Sequence, residues 1–547
     1  IGLFAFAKAQ PYGNEWIDYS KTYYKFKIGN TSLYRINYTS LISAGIPASQ
    51  LRGTDFKLFR NGQEVPLYVT TNNLFSSSDF IEFYGEKNDG KPDSVLYKTS
   101  DSQANSFQSL FSDTAVFFLT LDPFSINARY IQQNNDINII PSPEKYCYST
   151  VNQYSSLTSA TYGNSRGFAI SPFFPQLFNS DFDLGEGPVT GSFDNAGFYR
   201  FFNDAGGILN LKRVYKSADA NAFFTASIIQ GIRNHSIKLT VNSIDTIFSS
   251  SGQQIKKINY AFNSQFLNET GNNYIVFNEL VQNSSNTTAF IYLQYPRFLN
   301  FDNESKVSIS FKKKDDLYFE IKNFGNASTT PILYDLNNKQ RYLGIIDTVL
   351  KFHLTETLRD KEALYISSQS ISDIPSINAL TPTNFTFFLN SSQQGDYLII
   401  SNKKLRTSTN AVDYVDEYKK YRSSIPGGGF NARTYYIDEL NDQFAYGISQ
   451  NPLAIRNFIN FTIDKFPIKP KLAFIIGKGF EYTYSNRNQG IIDRSLVQTY
   501  GEPASDNLLT ARSATLNYPQ IGIGRLAATT GDDIRLYLEK VKEYESI

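Results

Sequence analysis

The sequence predicts a multidomain protein in which all-β domains of sandwich or jelly-roll type precede a C-terminal α/β domain with a mainly parallel sheet. Three observations carry this. Short runs of alternating polarity, broken by turns, fill the chain up to residue 392. From Asp396 onward, strand and helix patterns follow one another in strict succession. Within that succession the run Leu472-Ala-Phe-Ile-Ile-Gly477 carries no charge, as suits a strand covered on both faces. Composition agrees: 547 residues at 41% hydrophobic content can fill several cores, and the 45 Phe and 37 Tyr favour pleated, half-buried surfaces. The net charge of +1 selects neither nucleic acid nor an anionic membrane as partner.

Five segments are expected: 1–9, 10–141, 142–312, 313–392 and 393–547. Ile1 to Ala9 ends in a small-x-small pattern after an apolar run, and reads as the tail of a secretory signal peptide, with an ordinary first strand as the alternative. Export is the expected fate. No later stretch approaches the ~18 apolar residues that cross a bilayer, so no transmembrane segment is expected.

In 10–141, Thr22 to Ile28 and Leu33 to Tyr38 alternate about Gly29-Asn30 and read as a hairpin. Phe56 to Phe59 and Val65 to Val69 about Asn61-Gly62 read as another. Asn88, Asp89 and Asp93 could give oxygens to a structural Ca²⁺, although Asn-Asp-Gly also reads as a plain turn. In 142–312, strands are expected at Ala222 to Ile229, Ile237 to Val241, Asn273 to Phe277 and Phe290 to Tyr295. Carbohydrate-binding modules share this outline, so a glycan is a candidate ligand. Asp181, Asp183 and Glu186 read as a solvated loop rather than a glycosidase pair, and His235 as a surface imidazole. Cys147 stands alone: no disulfide can form within the chain, and a partly buried thiol is a better reading than a nucleophile. In 313–392, four short strands suit an Ig-like sandwich with a structural His353, and the Ser-, Asn- and Pro-rich stretch Ser367 to Gln394 reads as a linker.

The α/β domain starts with a strand at Asp396 to Ile400. A helix follows over Ala411 to Arg422 with Val412, Val415 and Tyr418 inward, then a strand at Thr434 to Ile437. Asn451 caps a crossover helix that carries Pro452 in its first turn and an apolar face of Ile455, Phe458, Ile459, Ile463 and Phe466. After the central strand, Ile521 to Leu526 is a further strand, and Thr530 with Asp533 forms a capping box for a helix with Ile534, Leu538 and Val541 inward. Ligands of such sheets sit beyond the carboxyl ends of the strands. Gly477, Gly479, Asp506 and Arg525 reach that edge and are the cleft candidates. Two readings of the last pair stay open: groups facing a ligand, or a structural ion pair. Gly522-x-Gly524-x-x-Ala527 matches a dinucleotide fingerprint as a string, but its glycines lie inside the strand and so do not open a helix.

Asp396-Tyr-Leu-Ile-Ile-Ser, Asn451-Pro-x-Ala-Ile-Arg-Asn-Phe, Phe474-Ile-Ile-Gly-Lys-Gly, Thr499-Tyr-Gly-x-Pro-Ala-Ser-Asp-Asn507, Gly522-Ile-Gly-Arg-Leu-Ala527 and Tyr537-Leu-x-Lys-Val-x-x-Tyr-Glu545 together resemble the gingipain-type cysteine peptidases, in particular the PorU-type sortases of the Bacteroidetes type IX secretion system. Asp79-Phe-Ile-Glu-Phe-Tyr-Gly-Glu-Lys-Asn-Asp-Gly90 resembles the N-terminal region of the same group. The resemblance implies a caspase-like α/β fold with catalytic His and Cys on loops after later strands. Since neither residue type occurs from Asp396 onward, the dyad is expected beyond Ile547, with the α/β domain incomplete at its C-terminal end and no catalytic residue in this chain. It further implies proteins carrying a secretion signal as substrates, an outer-membrane β-barrel as partner, and a place at the cell surface. The rival reading is a non-catalytic surface scaffold that binds glycan or protein and keeps a degenerate peptidase domain.

Overall fold

The structure, a computed structural model, describes residues 12–154, 161–163, 180–189, 191–194, 208–312, 316–326, 329–355 and 363–546. The segment read as a signal peptide lies outside them.

The first β domain packs a sheet of Thr381–Thr383, Tyr23–Ile28, Ala115–Leu121, Phe56–Arg60 and Gln63–Val65 on one of Ser32–Asn37, Phe80–Gly85 and Tyr68–Val69. The hairpin about Asn61-Gly62 forms, both turn residues having positive φ (49° and 71°), as a two-residue type I′ turn requires. The hairpin expected about Gly29-Asn30 does not. Tyr23–Ile28 pairs with Ala115–Leu121, whereas Ser32–Asn37 pairs with Phe80–Gly85 in the facing sheet. Phe26 and Ile28 thereby meet Tyr34 and Ile36 across one core, and both apolar faces leave water.

The second domain is a sandwich. One sheet runs Gly191–Asp194, Ser285–Phe298, Asn221–Gln230 and Gln254–Asn263, with Tyr146–Gln153 also on Ser285–Phe298; the other runs Ile208–Leu211, Gly271–Glu279, Asn234–Val241 and Ile244–Ser251. His235 is not on the surface. It is buried on its strand, Nδ1 3.0 Å from Glu279 Oε2 and Nε2 3.0 Å from the Gly231 carbonyl.

The third sandwich takes strands from both of its neighbours. Lys306–Ile309, expected in the second domain, pairs with Leu364–Ser367, and Ile131–Gln133, expected in the first, runs parallel to Gln340–Leu343. Boundaries at 141 and 312 thus cut through hydrogen-bonded neighbours: the turns legible in the sequence mark where strands end, not which sheet receives them. Ser367 to Gln394 is likewise no free linker. Thr381–Thr383 pairs with Tyr23 to Lys25, Ile377 and Leu380 join the first core, and Phe385 packs on Trp16 and Tyr23.

The C-terminal sheet is parallel throughout, in the order Ala432–Tyr436, Tyr397–Ser401, Leu472–Ile476 and Gly522–Leu526. Alternate residues of the inner strands point to opposite layers. Leu398, Ile400, Ala473 and Ile475 meet the helices Ile437–Phe444 and Leu453–Lys465, while Tyr397, Ile399 and Ile476 meet Tyr414–Ser423 and Gly531–Glu545. The first helix starts later than its apolar pattern suggested. Ala411 is left-handed at φ 59°, Asp413 caps the first turn by accepting from Asp416 N–H, and Val412 stays half-buried outside it. Ile437, read as a strand end, opens a helix.

Candidate functional site

At the carboxyl edge of the sheet the chain leaves the central strand through Gly477, at φ +146°. A Cβ there would lie 2.8 Å from Val497 Cγ2, and one at Gly479 would lie 2.4 Å from the Val497 carbonyl oxygen. Both glycines therefore serve close approach of the 496–499 segment, whose Leu496 and Val497 N–H groups donate to the Lys478 carbonyl at 2.8 and 3.2 Å.

Arg525, on the adjoining strand, fixes the same spot. Its Nη1 donates to the carbonyls of Gly477 (2.7 Å) and Val497 (2.9 Å); Nη2 donates to the Gln498 carbonyl (2.9 Å) and Asp506 Oδ1 (2.8 Å); Nε donates to Asp506 Oδ2 (2.7 Å). All five guanidinium N–H bonds are taken, two of them in a bidentate fork. The four cleft candidates thus meet in space, and the geometry is that of a staple. Arg525 and Asp506 tie the exits of two strands to the following loop, and Asn402 Nδ2 adds a bond to the Leu496 carbonyl from a third strand.

A second polar constellation joins the α/β domain to the β domains, and it consists of residues that the sequence suggested for other roles. Glu186 and Asp181 are buried, not solvated. Glu186 Oε1 accepts from Tyr482 at 2.5 Å, the Tyr97 hydroxyl donates to the Glu186 carbonyl at 2.6 Å, and Asp181 accepts from Asn517 and pairs with Lys98. The half-buried Asp183 donates its N–H to Glu186 Oε2. Asp93, fully buried, accepts from Ser109 Oγ and Leu110 N–H at 2.8 Å and from Asn451 Nδ2 at 3.2 Å. Burial pushes the Asp93 carboxyl up to about 7 and raises Glu186 well above the usual carboxylate range. Arg456 completes the joint, with Nη1 on the Tyr500 hydroxyl and Nη2 on the Val95 carbonyl. The sequence signal for Arg456 is a charge amid the apolar face of its helix.

The residues suggested for Ca²⁺ have separate partners. Asn88 Nδ2 donates to the Ser112 carbonyl, Asp89 accepts from Lys91 N–H, and Asp93 is held as above. Among the described residues no group of three or more His, Cys, Asp and Glu is placed to hold a metal ion.

Cys147 is buried in the third core with its thiol pushed up to about 12 by desolvation, and donates weakly to the Arg297 carbonyl at 3.7 Å. It is not an activated nucleophile. His353, buried on its strand, has Nε2 2.6 Å from Asp316 Oδ1.

Fold and site define a class: a row of β sandwiches fused to a parallel-sheet α/β domain whose carboxyl edge is preorganised by an Arg–Asp staple. Residues 390–547 match the family described as Peptidase family C25, so the C-terminal domain is gingipain-like. The chain as a whole has a PorU-like multidomain fold. It aligns with the crystal structure of dimeric latent PorU from Porphyromonas gingivalis at 13% identity and a TM-score of 0.56, over 96% of this chain and 50% of that one. The chain therefore spans half the length of the PorU chain it matches. A CBM36-1 domain of a multidomain xylanase from the hindgut metagenome of Trinervitermes trinervoides matches over 27% of this chain and 95% of that domain at 11% identity. Its TM-score is 0.16. No curated protein matches the sequence. No helix among the described residues is long and apolar enough to cross a membrane.

Proposed function

We propose that the chain belongs to an exported, gingipain-like cysteine peptidase homologue, a sortase-type component of type IX secretion that processes signal-bearing cargo at the cell surface beside an outer-membrane β-barrel partner. The observation that supports this is the family match over the α/β domain, set in a PorU-like arrangement of β domains. Chemistry of this kind proceeds through a Cys thiolate, activated by His, that attacks a peptide carbonyl and forms an acyl-enzyme. Cys147, His235 and His353 do not supply that pair, being held in the β domains by their own partners. What this chain contributes is the platform. Arg525, Asp506 and the two glycines hold the loop above the strand ends in one conformation, as preorganised catalysis requires.

A specific observation favours a second reading: residues 396–547 hold no His or Cys at all. On that reading the α/β domain is a scaffold, and the β domains bind glycan or protein.

The test is alkylation of the full-length polypeptide with iodoacetamide, with the label located by mass spectrometry and peptide hydrolysis followed in parallel. The peptidase reading expects rapid labelling at a cysteine other than Cys147, together with loss of hydrolysis. An intact protein that neither hydrolyses peptides nor takes label away from Cys147 overturns it in favour of the scaffold.

A further inference from the structure

We propose that the wedge between Tyr68–Val69 and Ile131–Gln133, where the first and third β domains meet, is a binding site for an extended apolar peptide that adds as a β-strand. The inference rests on the hydrogen-bond ladder of the β domains and not on the family reading.

The two segments begin as parallel neighbours. Leu67 N–H donates to the Ala128 carbonyl at 3.1 Å and Tyr130 N–H to the Leu67 carbonyl at 2.8 Å, a bridge between Leu67 and Arg129. Continued pairing would bring Val69 beside Ile131, but the segments part. Each then keeps a neighbour on its far side only. Tyr68–Val69 stays on Phe80–Gly85, where Thr70 N–H reaches the Phe80 carbonyl, so the N–H and C=O of Val69 face outward like those of Leu67. Ile131–Gln133 stays on Gln340–Leu343, where Ile131 N–H reaches the Lys339 carbonyl, so Gln132 N–H and the Tyr130 carbonyl face the wedge. Two ladder edges thus look at one gap. An open edge is a template for another strand.

The gap has the size and chemistry of a peptide site. Its volume is about 510 Å³, within the range of ligand pockets. Tyr130 and Tyr68 wall it, one edge-on against Tyr334 and the other under the Arg341 guanidinium at 4.1 Å, so the walls are held before any ligand arrives. Ile126, 102% exposed, and Ile131, 56% exposed, stand on its lining with nothing over them. Side chains of an added strand would cover the two isoleucines.

The test uses the full chain and a fluorescein-labelled heptapeptide of alternating Thr and Val, read by anisotropy. The expected result is saturable binding with a Kd below about 1 mM. N-methylation of alternate peptide nitrogens, in the register that faces the protein edge, should weaken it at least about tenfold, as should Ile126→Asp and, separately, Ile131→Lys. Because the Ile126 side chain lies in solvent, I126D should keep the wild-type unfolding midpoint, which separates lost binding from lost fold. Absence of saturable binding to the wild-type chain refutes the proposal. So does binding that ignores both N-methylation and the two substitutions, and so does sedimentation showing that Ile126→Asp abolishes a dimer of the chain, which would assign the wedge to a second copy.

Discussion

Replacing Arg525 separates a scaffold from a ligand-binding group. Arg525→Ala removes five donors at once and leaves three backbone carbonyls and the Asp506 carboxylate without them. Breaking a buried ion pair from one side costs about 3–5 kcal/mol. Here the side chains remain 11% and 22% exposed, so water relieves part of the loss and the low end, about 3 kcal/mol, applies. Arg525→Lys keeps the charge but not the planar fork, and should recover only about 1 kcal/mol of it. The assay is urea unfolding, with hydrogen exchange followed over 472–478 and 496–499. Both variants should unfold at lower urea, and exchange in the two segments should rise together, because one guanidinium holds both. If each variant unfolds within about 0.5 kcal/mol of the wild type, as surface substitutions do, the staple reading is wrong and Arg525 is free to serve a ligand.

Three more predictions concern stability. Since burial lifts the Asp93 carboxyl from an ordinary 3.8 to about 7, the folded form holds its proton more tightly than the unfolded chain does. The domain joint is then most stable below about pH 4, loses up to about 4 kcal/mol as pH rises to about 7, and is level above that; Asp93→Asn should flatten this profile in thermal melts taken across the window. Glu186 works in the same direction. Ile475→Asp sets a carboxylate where the side chain is fully buried, at a cost of several kcal/mol, and should abolish the protease resistance of 396–546; retained resistance would mean that the strand is not a two-sided core strand. Limited proteolysis should leave 374–385 uncut until the first β domain unfolds, because that segment is strand and core rather than tether.

What the sequence disclosed divides along a physical line. In Leu472 to Gly477, and in the capping box of Thr530 and Asp533, the determinants are local: an uncharged run, or a hydroxyl three residues from a carboxylate. These were readable, and so was the parallel α/β order that follows from strict alternation. Partner choice was not. Thr22 to Ile28 announces a strand, yet nothing within it says that its neighbour is Ala115–Leu121 and not the strand that comes next. His235, Asp181 and Glu186 were misplaced for a related reason. A polar residue betrays burial only when its partner is known, and Glu279, Asn517 and Tyr482 lie far along the chain. The candidate site was half legible: Asp506, Arg525, Gly477 and Gly479 do converge, but whether Arg525 faces a ligand or five acceptors depends on loop geometry with no periodic signature.

The pairing of Tyr23–Ile28 with Thr381–Thr383 also bears on the order in which the chain can fold. Thr22 Oγ1 donates to Asn384 Oδ1, 362 residues further on. Ribosomes add about 5–20 residues per second, so a nascent first sandwich waits roughly 20–70 s for the strand that closes its outer sheet. Throughout that interval Tyr23–Ile28 is a bare edge, and two complete sandwiches emerge between it and its mate. The segment that seals the first domain is also the one that leads directly into Tyr397–Ser401, the first strand of the parallel sheet. Closure of the oldest part of the molecule therefore comes just before the youngest part begins to form, and a chain stalled before residue 384 would present an unpaired edge to whatever strand it met first.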